Sequence, residues 1–274
     1  MKKTWVYLLL IPGLLVLTIF LIIPLFTTIF GTFKGEEGFT ASTYINLFKD
    51  SYFLSIYFRT IKLALITTAI SILLGFPTSY YISRTNKRAR GIYIMFAVFP
   101  LLTSAVVRSF SWMVILGRKG IINTILIGIG IIDKPLKLLY NEFSIVVGLV
   151  YLFLPLMIMS LVGVMENISG DLTEAAESLG ASRMTAFLKV ILPLSIPGLI
   201  VGSILVFTGS LTAYTTPQLL GGSKAKVLST LIYQNAMALF DWNTAAAVAT
   251  IMIITTLIIS TLINKLANGL NKAG

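Results

Sequence analysis

The sequence predicts an all-α membrane protein with six transmembrane helices. Of its 274 residues, 57% are hydrophobic and only 11% are charged, whereas soluble globular domains carry about 25% charged residues. Long uncharged runs recur along the chain, and a bilayer core of about 30 Å needs roughly 20 apolar residues of helix. Composition and run length therefore favour a polytopic membrane protein over a soluble domain.

The predicted helices follow six apolar runs in chain order, of which the first begins close to the N-terminus. That run follows Lys2 and Lys3, but it is far longer than the core of a signal peptide and no A-x-A cleavage site follows it. We therefore expect it to be a retained helix. The six runs are 4–33, 63–83, 91–117, 143–165, 190–223 and 242–264.

Two of the runs are irregular. The third is interrupted by Arg108, which is the one charged residue inside any of the six. The fifth has 34 residues, more than one crossing needs. A Thr-Pro pair at 216–217 and a Gly-Gly pair at 221–222 predict that its helix ends near Tyr214 and that a loop follows.

The charges between the runs bear on orientation. With both termini inside, ten Lys and Arg residues fall on each side and Arg108 accounts for the twenty-first, so the raw count decides nothing. The short stretch SRTNKRAR at 83–90 concentrates four cations in one tight connection, and this favours cytoplasmic termini. The predicted outer connections are 31–60, 118–142 and 218–241. Within the second, the apolar segment 120–132 is too short to span, so we expect it to lie in the interface or to re-enter the membrane.

The residue inventory excludes several function classes. The chain has no His and no Cys, which removes the commonest metal ligand, the commonest general base and any thiol nucleophile. We predict no metal site and no catalytic site, and no P-loop sequence is present. The net charge of +11 is spread without a basic block, so we expect no nucleic-acid partner. An ion- or proton-coupled secondary transporter stays open as an alternative, although such carriers commonly use intramembrane acids and duplicated halves.

One long polar stretch, DLTEAAESLGASRMTAFLKVILP at 171–193, lies between two apolar runs. Asp171 and Glu174 have the spacing of a capping box and predict a helix from about Leu172 to Leu179. Gly180 follows where a left-handed residue suits a helix end. Ser182 then predicts a cap for a second short helix that ends at Pro193.

The first of these short helices carries small and apolar residues on one side. Leu172, Ala175, Ala176 and Leu179 share that face at spacings of three, four and seven. Because two-turn helices are marginal alone in water, this face predicts either a protein partner or the lipid headgroups. The acids on the other side favour the partner, since interfacial helices prefer Lys and Arg.

The same stretch resembles the EAA loop of bacterial ABC-importer permeases. The resemblance rests on Glu-Ala-Ala at 174–176, Gly180 and Val-Ile-Leu-Pro at 190–193, where Val190 replaces the usual Ile. It implies a type I ABC-importer permease core over 60–265, with 1–59 as a first helix and outer loop and 266–274 as a cytoplasmic tail. It also implies a multi-pass protein of the bacterial cytoplasmic membrane with both termini cytoplasmic.

In that family the loop is a cytoplasmic coupling helix that docks in the ATPase subunit. The resemblance implies a second permease, two ATPase subunits and an extracytoplasmic solute-binding protein as partners, besides the lipid bilayer. It implies that ATP and Mg bind to the ATPase, that this chain binds no cofactor and that it is not itself an enzyme. The implied coupling residues are Asp171, Glu174, Ala175, Ala176, Leu179, Gly180 and Pro193.

The outer half resembles a narrower group. The segments 100–123, 211–222 (LTAYTTPQLLGG) and 241–247 (DWNTAAA) are similar to spermidine/putrescine permeases, a group that also serves opines, aminoalkylphosphonates and other small charged solutes. A polyamine-like solute is the first expectation from this resemblance. No Asp or Glu lies in any predicted span, however, and an apolar pore disfavours a polycation.

The candidate pathway residues lie within the two irregular runs. Arg108 is expected either to line the pathway, or to reach the outer interface or pair with Glu142. The other candidates lie near the outer ends of two runs, where an interfacial role is the alternative for each. They are Trp112, Tyr214, Thr216 and Gln218.

Overall fold

The computed structural model describes residues 3–35 and 38–271, with side chains at 10–34 and 38–265, and this part of the chain is overwhelmingly helical. Strands β1 (Lys34–Gly35) and β2 (Gly38–Phe39) form one short antiparallel pair. The helices are α1 (Lys3–Leu17), α2 (Ile23–Gly31), α3 (Ser42–Lys49), α4 (Ser51–Arg84), α5 (Lys87–Leu102), α6 (Ala105–Leu116), α7 (Ile121–Gly128), α8 (Glu142–Met165), α9 (Asp171–Ser178), α10 (Arg183–Ala186), α11 (Leu192–Thr212), α12 (Leu228–Tyr233) and α13 (Trp242–Asn271).

Six helical segments in the described part of the chain are long and apolar enough to cross a membrane, which confirms the predicted number. They are Leu10–Gly31, Ser51–Arg84, Ala105–Gly128, Glu142–Met165, Arg183–Thr212 and Trp242–Lys265. Two connections that the sequence left as loops contain short helices, α3 and α12. The apolar segment 120–132, expected to lie in the interface or to re-enter, contains α7, which belongs to the third candidate span, Ala105–Gly128. The segment predicted as a loop after Tyr214 likewise contains a π-helical stretch, Pro217–Gly221.

The predicted continuous helix over 91–117 is wrong. Helices α5 and α6 are separate, and Thr103 between them has an extended backbone. The Thr103 hydroxyl donates to the Pro100 carbonyl at 2.9 Å, and the Arg108 guanidinium donates to the same carbonyl. A helix break at membrane depth is tolerated when nearby side chains satisfy the freed backbone groups, and these two side chains do so here.

The chain forms two compact units, of which the smaller contains residues 1–55 and 231–253. In this unit the Thr32 hydroxyl lies 2.6 Å from the Tyr44 hydroxyl. The Asn243 side-chain amide donates to the Thr43 hydroxyl at 3.3 Å. The first candidate span, Leu10–Gly31, is broadly exposed along 10–30, as expected of a segment that faces lipid.

The larger unit contains residues 56–230 and 254–274, and α8 lies at the centre of its core. Met157 of α8 is fully buried and sits against two glycines on neighbouring helices. A Cβ at Gly75 of α4 would lie 2.7 Å from Met157 Cγ, and one at Gly202 of α11 would lie 2.6 Å from Met157 Sδ. Small residues let membrane helices approach closely, so these glycines bring α4 and α11 against α8.

Candidate functional site

The polar stretch 171–193 forms two short helices between α8 and α11. Gly180 separates them at φ +88°, as its position after α9 predicted. Ser182 precedes α10 and its hydroxyl accepts from the Thr185 amide at 3.2 Å, so the predicted cap is confirmed.

The predicted capping box at Asp171 and Glu174 is wrong. Helix α9 begins one residue earlier than expected, with Gly170 at the N-cap position and no side-chain cap. Asp171 is therefore the first helical residue, and its amide donates to the Ser169 hydroxyl at 3.3 Å. Both acids still lie in the first turn, where their charge favours the helix dipole.

Pro193 does not end the second helix, contrary to the prediction. A π-helical stretch, Phe187–Ile191, follows α10 and continues directly into α11, where Pro193 lies in the first turn. Proline lacks an amide hydrogen and its ring crowds the preceding turn. The wider π turn, which commonly occurs as a local insertion in helices, accommodates the proline without a break.

The predicted face of α9 is open in the single chain. Leu172 is 47% exposed and Leu179 is 89% exposed. Ala175 is exposed and Ala176 is half-buried. Met184 at the start of α10 adds a further exposed apolar side chain. Two large aliphatic side chains and two alanines thus form an uncovered surface on an otherwise polar loop.

Beneath the loop is a polar cavity of about 310 Å³. Across it, Glu177 and Arg183 approach to 3.8 Å, a long and largely exposed ion pair that contributes little to stability. The residues that line the cavity are Tyr80, Arg84, Gly170, Thr173, Glu174, Glu177 and Arg183.

Two arginines that sequence reasoning missed contact the entry to the loop. Arg84 Nη1 donates to the Ile168 carbonyl at 3.0 Å, and Arg90 Nη1 lies 2.8 Å from Glu166 Oε2. Both arginines belong to the cation-rich stretch at 83–90, which the sequence linked only to membrane orientation. Its clustering was the available signal, but the pairing partners lie about 80 residues further along the chain.

The predicted pathway residue Arg108 is buried near the break between α5 and α6. It is 8% exposed, and besides Pro100 its guanidinium contacts the Thr103 carbonyl at 3.4 Å. Glu142, the alternative partner considered for Arg108, instead forms ion pairs with Arg59 and Lys62.

The remaining pathway candidates lie on two segments that contact each other, α6 and the turn after α11. Trp112 of α6 packs edge-on against Tyr151, with ring centroids 5.6 Å apart, and both line an apolar groove of about 640 Å³. Thr216 is buried, and its methyl carbon would lie 2.6 Å from a Cβ at Gly148. Tyr214 is half-buried and Gln218 is exposed. The backbone amide of Gln218 donates to the backbone carbonyl of Tyr214 at 3.0 Å.

Comparison with known proteins gives matches over most of the chain. Residues 68–272 match the family model described as "Binding-protein-dependent transport system inner membrane component". The chain is 34% identical to the spermidine/putrescine transport system permease protein PotB of Haemophilus influenzae, over 89% of this chain and 83% of that protein. It is 30% identical to PotB of Escherichia coli K12, over 76% of each.

The fold also matches a solved structure. A chain of a bacterial alginate ABC transporter, in complex with an alginate pentasaccharide-bound periplasmic protein, superposes with a TM-score of 0.76. The match covers 99% of this chain and 96% of that one at 22% identity. At this identity the likeness concerns the fold.

Proposed function

Because the chain belongs to the family of binding-protein-dependent transport system inner membrane components, we propose that it is one of two permease subunits in an ATP-driven importer of polyamine-like solutes. The chain is a multi-pass protein of the inner membrane, and its relatives are transport permeases. Two ATPase subunits, a second permease and an extracytoplasmic solute-binding protein complete the proposed assembly. ATP and Mg bind to the ATPases in this proposal, and the chain itself binds no cofactor.

The uncovered face of α9 is the observation that carries the coupling role. Leu172 and Leu179 are exposed although both are large and apolar, and the two alanines between them leave room for a close backbone approach. Gly180 then directs the chain away from that face. A short, preformed helix with a small-residue centre fits a shallow cleft on a partner protein, and we assign that partner as the ATPase.

This assignment fixes the proposed orientation. If α9 meets an ATPase, the loop is cytoplasmic, and an even number of spans then puts both termini in the cytoplasm. The four cations at 83–90 agree with that side. We keep 60–265 as the proposed permease core, with 1–59 as an additional first helix and outer loop and 266–274 as a cytoplasmic tail.

A polyamine is the favoured solute because the PotB relatives named above carry spermidine and putrescine in their names. Opines, aminoalkylphosphonates and other small charged solutes are the alternatives within the same importer class. Glu142 is held by two cations, Arg59 and Lys62, so it offers no net negative charge to a polycation. We therefore assign solute recognition to the binding protein, and a passage role to Arg108, Trp112, Tyr214, Thr216 and Gln218.

A secondary transporter is the less favoured class. Ion- and proton-coupled carriers rely on intramembrane acids, and the apolar runs of this chain contain none. Membership of a family named for binding-protein dependence also favours the importer.

The coupling role is tested with Ala176→Trp in the reconstituted importer. Added bulk at a close contact costs about 1–3 kcal/mol, so ATPase association should weaken about 5- to 150-fold. Ala41→Trp, at an exposed position outside the loop, is the matched control. Normal association and normal transport by Ala176→Trp would refute the coupling role.

The solute is tested separately. Purified binding protein is titrated with putrescine, spermidine, an opine and an aminoalkylphosphonate, and the same solutes are then tested for stimulation of ATP hydrolysis by the full importer. The proposal expects binding and stimulation by the polyamines. Stimulation by one of the other solutes alone would overturn the polyamine assignment and leave the importer class intact.

A further inference from the structure

One face of α4 carries three residues at a spacing of four, Phe76, Tyr80 and Arg84. Residues four apart in a helix lie above one another on the same side. This side of α4 contacts both ends of the loop 166–191, and none of the three residues was among those predicted for the site.

The exit of the loop is held by aromatic packing. Phe187 is the first residue after α10. Its ring meets Phe76 edge-on at 5.6 Å and Tyr80 edge-on at 5.3 Å between centroids. Such edge-to-face pairs are favourable beyond the area that they bury. The chain that leaves the loop is thus anchored to α4 before it enters α11.

The entry of the loop is held by Arg84. Its guanidinium donates to the Ile168 carbonyl at 3.0 Å and lies over the Tyr80 ring, 5.7 Å from the centroid. Ile168 is itself buried in the same apolar cluster as Phe76 and Ile191. One helix face therefore holds the two ends of the loop through neighbouring side chains.

Arg90 adds a second attachment at the entry. Its Nη1 lies 2.8 Å from Glu166 Oε2, while its Nη2 donates to the Ser83 carbonyl at 2.8 Å and the Thr85 carbonyl at 3.2 Å. The Arg90 side chain is only 24% exposed, and charge-assisted bonds of this kind are stronger than neutral ones. Arg90, in the first turn of α5, thus joins the residue that follows α8 to the end of α4 and the connection after it.

The middle of the loop has no comparable attachment to α4. Helix α9 is exposed on its apolar face, and the cavity of about 310 Å³ separates it from Tyr80 and Arg84. Helix α9 does contact α10 and the π-helical stretch that follows. The loop is therefore a small packed unit that is fastened at its ends.

We infer that Phe76, Tyr80, Arg84 and Arg90 form a clamp that makes the loop 166–191 move together with α4 and α5. The four are positioning residues, because they act through the loop and do not form its docking face. The inference rests on the proposed function, in which displacement of α9 by the ATPase must reach the membrane helices. A loop held only by its own chain would bend at its ends instead, and the displacement would be lost.

The test replaces the ion pair by a removable covalent link. The chain has no native Cys, so Arg90→Cys with Glu166→Cys gives one defined pair for a short, reducible, bifunctional thiol reagent. In the full importer, the unlinked double variant should bind the ATPase normally but lose about tenfold in solute-stimulated hydrolysis. Linking should restore stimulation, and reduction should abolish it again.

Two outcomes overturn the clamp. If the unlinked variant is fully stimulated, the ion pair has no part in coupling. If linking blocks transport, or fails to restore solute-stimulated hydrolysis, the loop does not work as one body with the α4–α5 connection. A role limited to folding would instead lower the amount of assembled importer, which membrane level and ATPase association measure directly.

A second comparison uses single substitutions. Arg84→Ala should reduce solute-stimulated hydrolysis while ATPase association is kept, and Arg84→Lys should recover part of it. Lys87→Ala is the matched control, because Lys87 is an exposed cation in the same cation-rich stretch at 83–90. Failure of the proposed function can be distinguished from failure of the clamp, since Ala176→Trp would then leave ATPase association and transport unchanged. If Ala176→Trp uncouples the importer and Arg84→Ala does not, the clamp alone is refuted.

Discussion

Gly180 offers the most direct test of how the backbone of the loop sets its function. Its φ of +88° is a conformation that residues with a side chain rarely adopt. A Cβ built at Gly180 would meet no atom within 4 Å. The substitution Gly180→Val therefore adds backbone strain without a clash against any neighbour.

The size of the effect of Gly180→Val follows from the backbone strain alone. Forcing a residue with a Cβ into a left-handed conformation costs about 1–2 kcal/mol, and a branched side chain lies at the upper end. Each 1.4 kcal/mol is tenfold in an equilibrium, so the native turn should become about 5- to 30-fold less populated relative to its alternatives. If the ATPase binds only the native turn, its apparent affinity falls by up to the same factor.

The assay is a titration of the ATPase subunit onto the reconstituted permease, with solute-stimulated hydrolysis measured in parallel. Gly180→Asn should bind more tightly than Gly180→Val, because Asn tolerates positive φ better than a β-branched residue. Gly91→Val is the matched control, since it has open space around the Cβ and no positive φ.

Two results would refute this reasoning. Wild-type affinity in Gly180→Val would show that the turn is not needed for docking. Equal losses in the Asn and Val variants would show that any side chain is excluded there, in which case the partner surface and not the backbone sets the requirement.

Two further predictions concern packing and topology. Gly202→Leu should destabilise the permease by about 1–3 kcal/mol, because its Cβ would lie 2.6 Å from Met157 Sδ. Thermal unfolding in detergent measures the loss, with Gly163→Leu as the control because a Cβ there has open space. An equal effect of the two substitutions would contradict the packing argument. Single cysteines at Thr185 and Lys224 should react with impermeant thiol reagents only from the cytoplasm and only from outside, respectively, and the reverse labelling would overturn the proposed orientation.

The features predicted well from sequence are those fixed within a few residues. The number of spans follows from the length of the apolar runs, since a bilayer demands about 20 residues each, although the third span lies at Ala105–Gly128 and not at 91–117. The turn at Gly180 and the cap at Ser182 depend on local backbone preferences, and both are present.

The features that the sequence did not predict depend on contacts with residues far along the chain or on a choice between neighbouring residues of equal preference. The break at Thr103 lies inside a run that is long enough to cross a bilayer, and the freed Pro100 carbonyl accepts from the Thr103 and Arg108 side chains. Arg84 donates to the backbone carbonyl of Ile168. Because every residue has such a carbonyl, the side chain at 168 gives no indication that Arg84 binds there. The start of α9 shifted by one residue because both Gly170 and Asp171 suit an N-cap.

The position of Met157 between Gly75 and Gly202 has a consequence for sequence variation. One fully buried side chain fills the space beside both glycines, so the volume available to the three positions is shared. A larger residue at 75 or 202 should be acceptable only with a smaller one at 157, and two enlargements should be acceptable together only with a residue as small as alanine. In related permeases, then, these three positions should change in size as a set, even though 75 and 202 are 127 residues apart in the chain.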